Sequence, residues 1–274
     1  MTMTSLDKEL VQINIAGIAV ALAIDDDEKR AAVRERYAEF IAASPRPQVT
    51  VRVKVAAGAR FVPLRSGPWV IELDEKGDRL DYRSHFDAGW MEIGAGKAFL
   101  EIAPEADIEN FLRVLYARLC LREGGLLLHA AGIVRGEAGF VFFGPSGSGK
   151  TTTARLSPEF TVLSDDLVIV KIGEGGVRVH GVPFRGDFAE ATRVNRSAEL
   201  RGLFTLVKAP VHAVVPLPPP EARARLLSCV PFVMTDARRA RRAMEIGSQI
   251  TGRVPVRALH FRLDSGFWGL LNDF

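Results

Sequence analysis

The pattern of apolar and polar positions divides the chain into two parts. The first part interleaves strand-like and helix-like stretches. Val49 to Val55, for example, alternates valine with polar residues, the period-two pattern of a half-buried strand. The predicted elements run in the order strand 11–24, helix 27–43, strand 49–55, several short strands within 69–103 and helix 106–122. We therefore predict a smaller α+β region over residues 1–123.

The second part is richer in continuous apolar strands. Residues 126–134 and 138–143 read as two buried strands, and Thr161 to His180 reads as further strands closed by a glycine-rich turn. A basic helical segment and an alternating strand follow them toward the C-terminus. This order predicts an α/β fold, with a core over residues 124–274.

Composition adds bounds on the class of protein. Of 274 residues, 47% are apolar and 25% charged, which is ordinary for a globular protein with a substantial core. The longest apolar stretch, Ile13 to Ile24, is too short and too interrupted to span a bilayer, and acidic residues stand where a signal peptide needs basic ones. Cys120 and Cys229 are expected to be buried reduced thiols. We predict a cytoplasmic protein with no membrane partner.

Charge is unevenly distributed along the chain. The net charge is only +3, yet residues 201–262 carry eleven Lys and Arg against three acidic residues. Such a region is a solvated helix face or a surface for an anionic partner, namely an acidic peptide or the phosphates of ATP. We do not expect nucleic acid, because neither interleaved aromatic residues nor a known reading motif accompanies the charge.

A complete G-x-x-x-x-G-K-[ST] phosphate-binding loop follows the strand over 138–143. Its glycines allow a tight turn, so that successive backbone N–H groups and the following helix N-terminus face phosphate oxygens. Lys150 would bridge the terminal phosphates, and the Thr151 hydroxyl would coordinate Mg²⁺. The predicted nucleotide-binding residues are Gly144, Ser146, Gly147, Ser148, Gly149, Lys150, Thr151 and Thr152.

Asp165 and Asp166 stand between two apolar strands, fifteen residues after Lys150. Such a pair suits a kinase, in which one carboxylate holds Mg²⁺ and its neighbour accepts a proton from a substrate hydroxyl. Two adjacent like charges would also raise one pKa, which favours a base. The alternative is a polar turn, since Ser and Asp are favoured in turns.

The order of three motifs resembles the HPr serine kinase/phosphorylase family, whose core is similar to that of phosphoenolpyruvate carboxykinase. The motifs are Leu128-His129-Ala130-Ala131-Gly132, the phosphate loop, and Leu163-Ser164-Asp165-Asp166. The resemblance covers roughly residues 124–190, and more loosely the remainder. It implies a mixed-sheet kinase core in which ATP, with Mg²⁺, phosphorylates a serine hydroxyl of a peptide or small protein; family members often form oligomers.

Carried over by position, the resemblance makes Asp166 the base and Asp165 a metal ligand together with Thr151, although the two aspartates could exchange these roles. His129 would lie beside the base or the transferring phosphate, the alternative being a buried structural histidine. Arg185, within Val182–Asp187, and Arg201, within Glu199–Phe204, stand in partial counterparts of the family's substrate-side segments.

Two departures shape the expected function. Family members commonly carry Glu after the loop's hydroxyl residue, where this chain has Thr152 and Thr153, and residues 1–123 do not match the family's regulatory domain. The chain is therefore most similar to the broader HPr-kinase-related proteins, some encoded with peptide-modification systems. The alternatives are a nucleotide-binding regulatory or peptide-binding module without transfer activity, and a small-molecule kinase or ATPase.

Overall fold

The computed structural model describes residues 10–56, 61, 70–184, 186–188 and 192–274. The chain forms two compact units that divide between Leu119 and Cys120, whereas the sequence pattern placed the division after residue 123. Each unit contains a mixed β-sheet and a few helices, so the predicted α/β class is confirmed. No helix within the described residues is long and apolar enough to cross a membrane.

Among the described residues, the first unit contains a mixed sheet, one helix and all but the last turn of a second helix. Its strands are β1 (Leu10–Ile15), β2 (Ile18–Ile24), β3 (Val49–Val55), β4 (Glu72–Lys76), β5 (Arg79–Arg83), β6 (Asp87–Glu92) and β7 (Lys97–Ile102). Its helices are α1 (Asp27–Arg36) and α2 (Glu109–Arg122). The strand order is β1-β2-β3-β7-β6-β5-β4, in which β3 runs parallel to β2 and β7 and the other neighbours are antiparallel. Helix α2 is tied to this sheet by the Tyr116 hydroxyl, which donates to the carbonyl of Ile13 at 2.9 Å.

Two elements of this unit differ from the sequence prediction. The stretch over 11–24 is a hairpin rather than one strand, because Ala16 and Gly17 have φ values of 55° and 77° that reverse the chain. The helix predicted to residue 43 ends at Arg36 and is followed by a 3-10 turn over Ala38–Phe40. Tyr37 leaves helical geometry at φ −104°, and this turn buries both Tyr37 and Phe40.

The second unit carries the phosphate loop. Its strands are β8 (Gly125–Arg135), β9 (Ala138–Phe143), β10 (Thr161–Ser164), β11 (Leu167–Gly173), β12 (Gly176–His180), β13 (Ser197–Lys208), β14 (Ala213–Pro216) and β15 (Val256–Phe261). Its helices are α3 (Lys150–Arg155), α4 (Pro219–Leu227) and α5 (Ala237–Arg253), with a 3-10 helix over Ser265–Leu271.

In the sheet of this unit, three parallel strands end at the edge that carries the phosphate loop. The strand order is β10-β8-β11-β12-β13-β15-β14, and β9 pairs with both β8 and β13. Strands β9, β13 and β15 are parallel, so their carboxyl ends meet at one edge of the sheet. Ligands of α/β proteins commonly bind at such an edge.

An aromatic core supports α3. Phe142 lies 5.6 Å from Phe204 and 5.7 Å from Trp268 between ring centroids. The Trp268 indole N–H donates to the Ser157 hydroxyl at 2.9 Å, and that hydroxyl donates to the Thr153 carbonyl at 2.8 Å. Phe267, Trp268 and Leu271 are all buried in this core.

Candidate nucleotide and phosphoryl-transfer site

The phosphate loop joins the buried end of β9 to the first turn of α3. Gly144, Gly147 and Gly149 all have positive φ, at 153°, 75° and 111°, which is the freedom that the motif's glycines supply. Pro145 to Gly147 are exposed, whereas Gly144 and Lys150 at the two ends are buried. The loop is therefore anchored at both ends and open in the middle.

Lys150 is folded back over the loop. Its ammonium donates to the carbonyls of Gly144 and Pro145 at 3.1 and 3.2 Å. Burial lowers the pKa of this lysine, while the nearby Cys229 and Asp166 act in the opposite direction. Both bonds are to neutral carbonyls, so an anion at the loop would offer the ammonium a stronger partner.

Strands β10 and β11 lie end to end along one strand, β8. Ser164 is opposite Gly132 and Leu167 is opposite His129, both in antiparallel register. Asp165 and Asp166 occupy the break between the two strands. The Ser164 hydroxyl accepts from the backbone N–H groups of Asp166 and Leu167, each at 3.2 Å, which fixes the bend that holds the two carboxylates.

Asp165 faces the phosphate loop. It is 4% exposed, and its Oδ2 accepts from the Thr151 hydroxyl at 3.0 Å and from the Phe188 N–H at 3.0 Å. Gly186 also lies against Asp165, since a Cβ built on this glycine would stand 2.3 Å from Asp165 Oδ1. The structure thus joins the carboxylate and the hydroxyl that the sequence nominated as metal ligands.

Asp166 faces a different partner. Its Oδ1 lies 3.1 Å from His129 Nε2, and the His129 side chain is 44% exposed. The resemblance placed this histidine beside the base or the transferring phosphate, and the register of β8 against β11 brings it against Asp166. The adjacent aspartates therefore have different surroundings: Asp165 is buried against Thr151, and Asp166 is more accessible against His129.

Cys229 is a neighbour of the site that sequence reasoning missed. It follows α4, and its carbonyl accepts from the His129 N–H at 2.8 Å. Burial raises the pKa of its thiol, opposed by the Ser228 hydroxyl, the Gly144 N–H and Lys150. Its sequence neighbourhood holds no motif, since this proximity arises only from the tertiary fold.

Arg201, one of the two predicted substrate-side arginines, does not join this group. Arg201 lies near the start of β13, level with Gly139 and Phe140 near the start of β9. Because β9 and β13 are parallel, that is the end of the strands away from the phosphate loop. Arg201 is instead paired with Glu199 at 2.8 Å. Arg185 lies outside the described residues.

The remaining loop residues keep local roles. The Ser148 N–H donates to the Pro145 carbonyl at 3.1 Å, and the buried Ser148 hydroxyl has no hydrogen-bond partner among the described residues. Ser146 is exposed, and Thr152 is partly exposed on the first turn of α3. The described part of the chain holds no cluster of three or more His, Cys, Asp or Glu suited to a metal ion.

Comparison with known proteins gives one family. No curated protein matches the chain. The family model described as "SynChlorMet cassette protein ScmC" matches residues 106–273, which is more than half of the chain and includes the phosphate loop, the aspartate pair and helices α4 and α5. The chain therefore belongs to the ScmC family of SynChlorMet cassette proteins.

Proposed function

We propose that this protein is an ATP-dependent kinase that transfers the γ-phosphate to the serine hydroxyl of a peptide or small protein. The observation that supports it best is the different environment of two adjacent carboxylates beside a phosphate loop. Asp165 bonds to Thr151 at 3.0 Å, whereas Asp166 lies 3.1 Å from His129. Protein kinases use one carboxylate to hold the metal and another to accept the proton of the substrate hydroxyl.

The residues around Thr151 fit a magnesium ion. Mg²⁺ prefers oxygen ligands and is commonly held by one or two side chains together with substrate phosphates. Thr151 and Asp165 would supply the two protein oxygens, and Lys150 would turn from the loop carbonyls toward the phosphates. When bound, Mg²⁺ would neutralise charge that develops on the β- and γ-phosphates.

Asp166 would accept the proton of the acceptor hydroxyl. As the serine oxygen forms its bond to the γ-phosphorus, the bond from that phosphorus to the β-phosphate oxygen breaks and ADP leaves with the electron pair. The hydroxyl proton passes to Asp166. His129 would hold the Asp166 carboxylate in place, since its Nε2 already lies within hydrogen-bonding distance.

Asp166→Asn tests this assignment directly. The amide keeps the shape of the side chain but cannot accept the proton, so we expect transfer to fall by about 10²–10⁴-fold while ATP affinity stays within about twofold. Asp165→Asn should instead weaken the magnesium dependence of ATP binding. Transfer by Asp166→Asn at the unsubstituted rate would show that this residue is not the base.

A nucleotide-binding regulatory or peptide-binding module without transfer is the second candidate. It is favoured by Thr152 and Thr153, which stand where related kinases carry Glu, and Thr153 is wholly buried with its hydroxyl on the Gly149 carbonyl at 2.9 Å. Stable ATP binding without labelling of any serine peptide would support that candidate. Phosphate release without an acceptor would instead indicate an ATPase.

The proposal also implies a fold for the second unit and a location in the cell. We infer that the second unit is a phosphoenolpyruvate carboxykinase-like core of the HPr-kinase-related type, because its P-loop strand β9 lies between an antiparallel and a parallel neighbour and the aspartate pair follows on the far edge of β8. A cytoplasmic enzyme would have ATP at hand and its two buried cysteines reduced.

A further inference from the structure

Helix α5 presents arginines that have no acidic partner. Arg239 pairs with Asp236 at 3.3 Å and Arg242 with Glu245 at 3.2 Å. Arg238 and Arg241 are exposed, and no carboxylate or other bonding partner lies against them among the described residues. These two positions are i and i+3, so the two guanidinium groups are neighbours that repel each other.

Two exposed methionines stand close to these arginines along the chain. Met244 is three residues beyond Arg241 on the same stripe of the helix and is 47% exposed, and Met234, just before the helix, is 39% exposed. Methionine is flexible and polarisable, and it is common on surfaces that bind varied peptides. We call Met234, Arg238, Arg241 and Met244 the arginine–methionine face.

The opposite side of α5 fixes this face in position. Ala243, Ile246, Gly247 and Ile250 are buried, so the helix cannot turn the arginines inward. The segment between α4 and α5 is also anchored, since Val230 and Val233 are buried. The arginine–methionine face is therefore a fixed outer surface of the second unit.

The connection between the two helices links this face to the phosphoryl-transfer site. Cys229 at the end of α4 binds the His129 N–H through its carbonyl. Asp236, which caps α5, is seven residues further on and can lie at most about 25 Å from Cys229 even with the chain fully extended. An extended peptide of about twelve residues spans roughly 40 Å, so one peptide can cover both places.

We propose that the arginine–methionine face binds an acidic, extended segment of the peptide substrate and so directs its serine to Asp166. This inference rests on the proposed kinase function. The guanidinium groups would pair with carboxylates in two-pronged hydrogen bonds, and the methionines would cover apolar side chains between them. Binding would relieve the repulsion between Arg238 and Arg241.

The experiment uses the full chain and a fluorescent twelve-residue peptide that carries several Asp and Glu residues and one serine. We compare R238E/R241E with a control of equal charge change, R52E/R253E. Arg52 is exposed on β3, and Arg253 is exposed about 18 Å along α5 from Arg241. We expect R238E/R241E to weaken peptide binding at least about tenfold and the control to change it less than about twofold. ATP affinity should be unchanged in both.

Each outcome separates docking from catalysis. Equal weakening by both double variants would reduce the effect to net charge and overturn the proposal. Equal binding of a single-stranded DNA oligonucleotide of the same charge would overturn the peptide assignment. Transfer to serine peptides regardless of their acidity would support the kinase function and overturn the proposed docking site. Peptide binding that depends on Arg238 and Arg241 in a protein that transfers nothing would support the docking site and remove the kinase.

Discussion

At the scale of single residues, Gly149 combines two constraints on the phosphate loop. Its φ of 111° is a backbone conformation that L side chains rarely adopt, and a Cβ there would stand 2.7 Å from Phe261 Cζ. The conformation alone costs about 1–2 kcal/mol for a side chain other than glycine. The ring belongs to the buried aromatic core and has little room to move.

We predict that Gly149→Ala lowers the unfolding free energy by more than backbone strain alone and abolishes ATP binding. Gly147→Ala is the matched control. Its φ is 75°, but nothing lies within 4 Å of the added carbon, so only the strain of about 1–2 kcal/mol is expected. Urea unfolding and calorimetric ATP titration measure both effects. Equal losses of stability in the two variants would show that Phe261 yields without cost.

Residue identities at the site were predictable where a local motif carries them. Lys150 and Thr151 follow from the loop, and Asp165 and Asp166 from their position between strands. Other contacts of the site were not accessible in the same way, because Phe188, which donates to Asp165, and Cys229, which accepts from the His129 N–H, come from distant parts of the chain. The periodicity of apolar residues along the chain gives no information about such long-range contacts.

At the scale of elements, the contact between α4 and α5 depends on Gly247. A Cβ there would lie 3.1 Å from Leu227 Cδ2, so the two helices approach more closely than most side chains would permit. Leu227 ends α4, two residues before Cys229 and its bond to the His129 backbone. A displaced α4 would therefore disturb the site.

We predict that Gly247→Leu costs about 1–3 kcal/mol of unfolding free energy and also weakens ATP binding. Gly252→Ala, in the last turn of the same helix, meets nothing within 4 Å; it should leave ATP binding unchanged and raise the unfolding free energy by up to about 1 kcal/mol through helix propensity. Thermal unfolding and ATP titration check the pair. If the Gly247→Leu protein is destabilised but binds ATP with unchanged affinity, the contact between α4 and α5 does not influence ATP binding.

Elements were predictable where hydrophobic period and turn residues agree. Strand β3 has the predicted bounds because valine alternates without interruption over Val49–Val55. The hairpin β1–β2 was missed because the turn at Ala16 and Gly17 lies inside an apolar run, between the alternating strand β1 and the almost uniformly buried strand β2. The neighbours of β9 in the sheet depend on pairing over long separations, which no local pattern encodes.

At the scale of the whole molecule, the two units carry opposite responses to pH. In the first, burial raises the pKa of Asp87 from 3.8 to about 7, opposed by the hydrogen bond that the Tyr82 hydroxyl donates at 3.0 Å. A carboxyl with a raised pKa favours folding in its neutral form. Its contribution is complete below pH 3.8 and is lost as pH rises through about 7.

We predict that Asp87→Asn removes this alkaline loss. A pKa difference of about 3 corresponds to up to about 4 kcal/mol once Asp87 is fully ionised, so the variant should be more stable than the natural chain at pH 9 and similar to it only below pH 3.8. Urea unfolding across this range measures it. Asp78→Asn, an exposed aspartate in the turn between β4 and β5, serves as the control. A parallel pH profile for Asp87→Asn and the natural chain would contradict the prediction.

The second unit responds on the acid side. Burial, with the positive charges of Arg178 and Lys171, lowers the pKa of His180 from 6.5 to about 4. Its contribution is present above pH 6.5 and is lost as pH falls through about 4. We predict that His180→Gln flattens the decline in unfolding free energy over that interval, by up to about 3 kcal/mol, and leaves the alkaline limb unchanged. An unaltered acid limb in the urea unfolding of this variant would count against it.

The pairing of β10 and β11 with one strand has a consequence for how the chain can change. From Ser164 to Leu167 is three steps, and so is the span from Gly132 to His129 on β8. Pairing with β8 therefore fixes the number of residues between β10 and β11. Loss or gain of a single residue at Asp165-Asp166 would slip β11 by one position against β8 and exchange the side chains on its two faces, both of which are buried over Leu167 to Val170. Loops ordinarily tolerate insertions and deletions. This segment is expected to tolerate only substitutions.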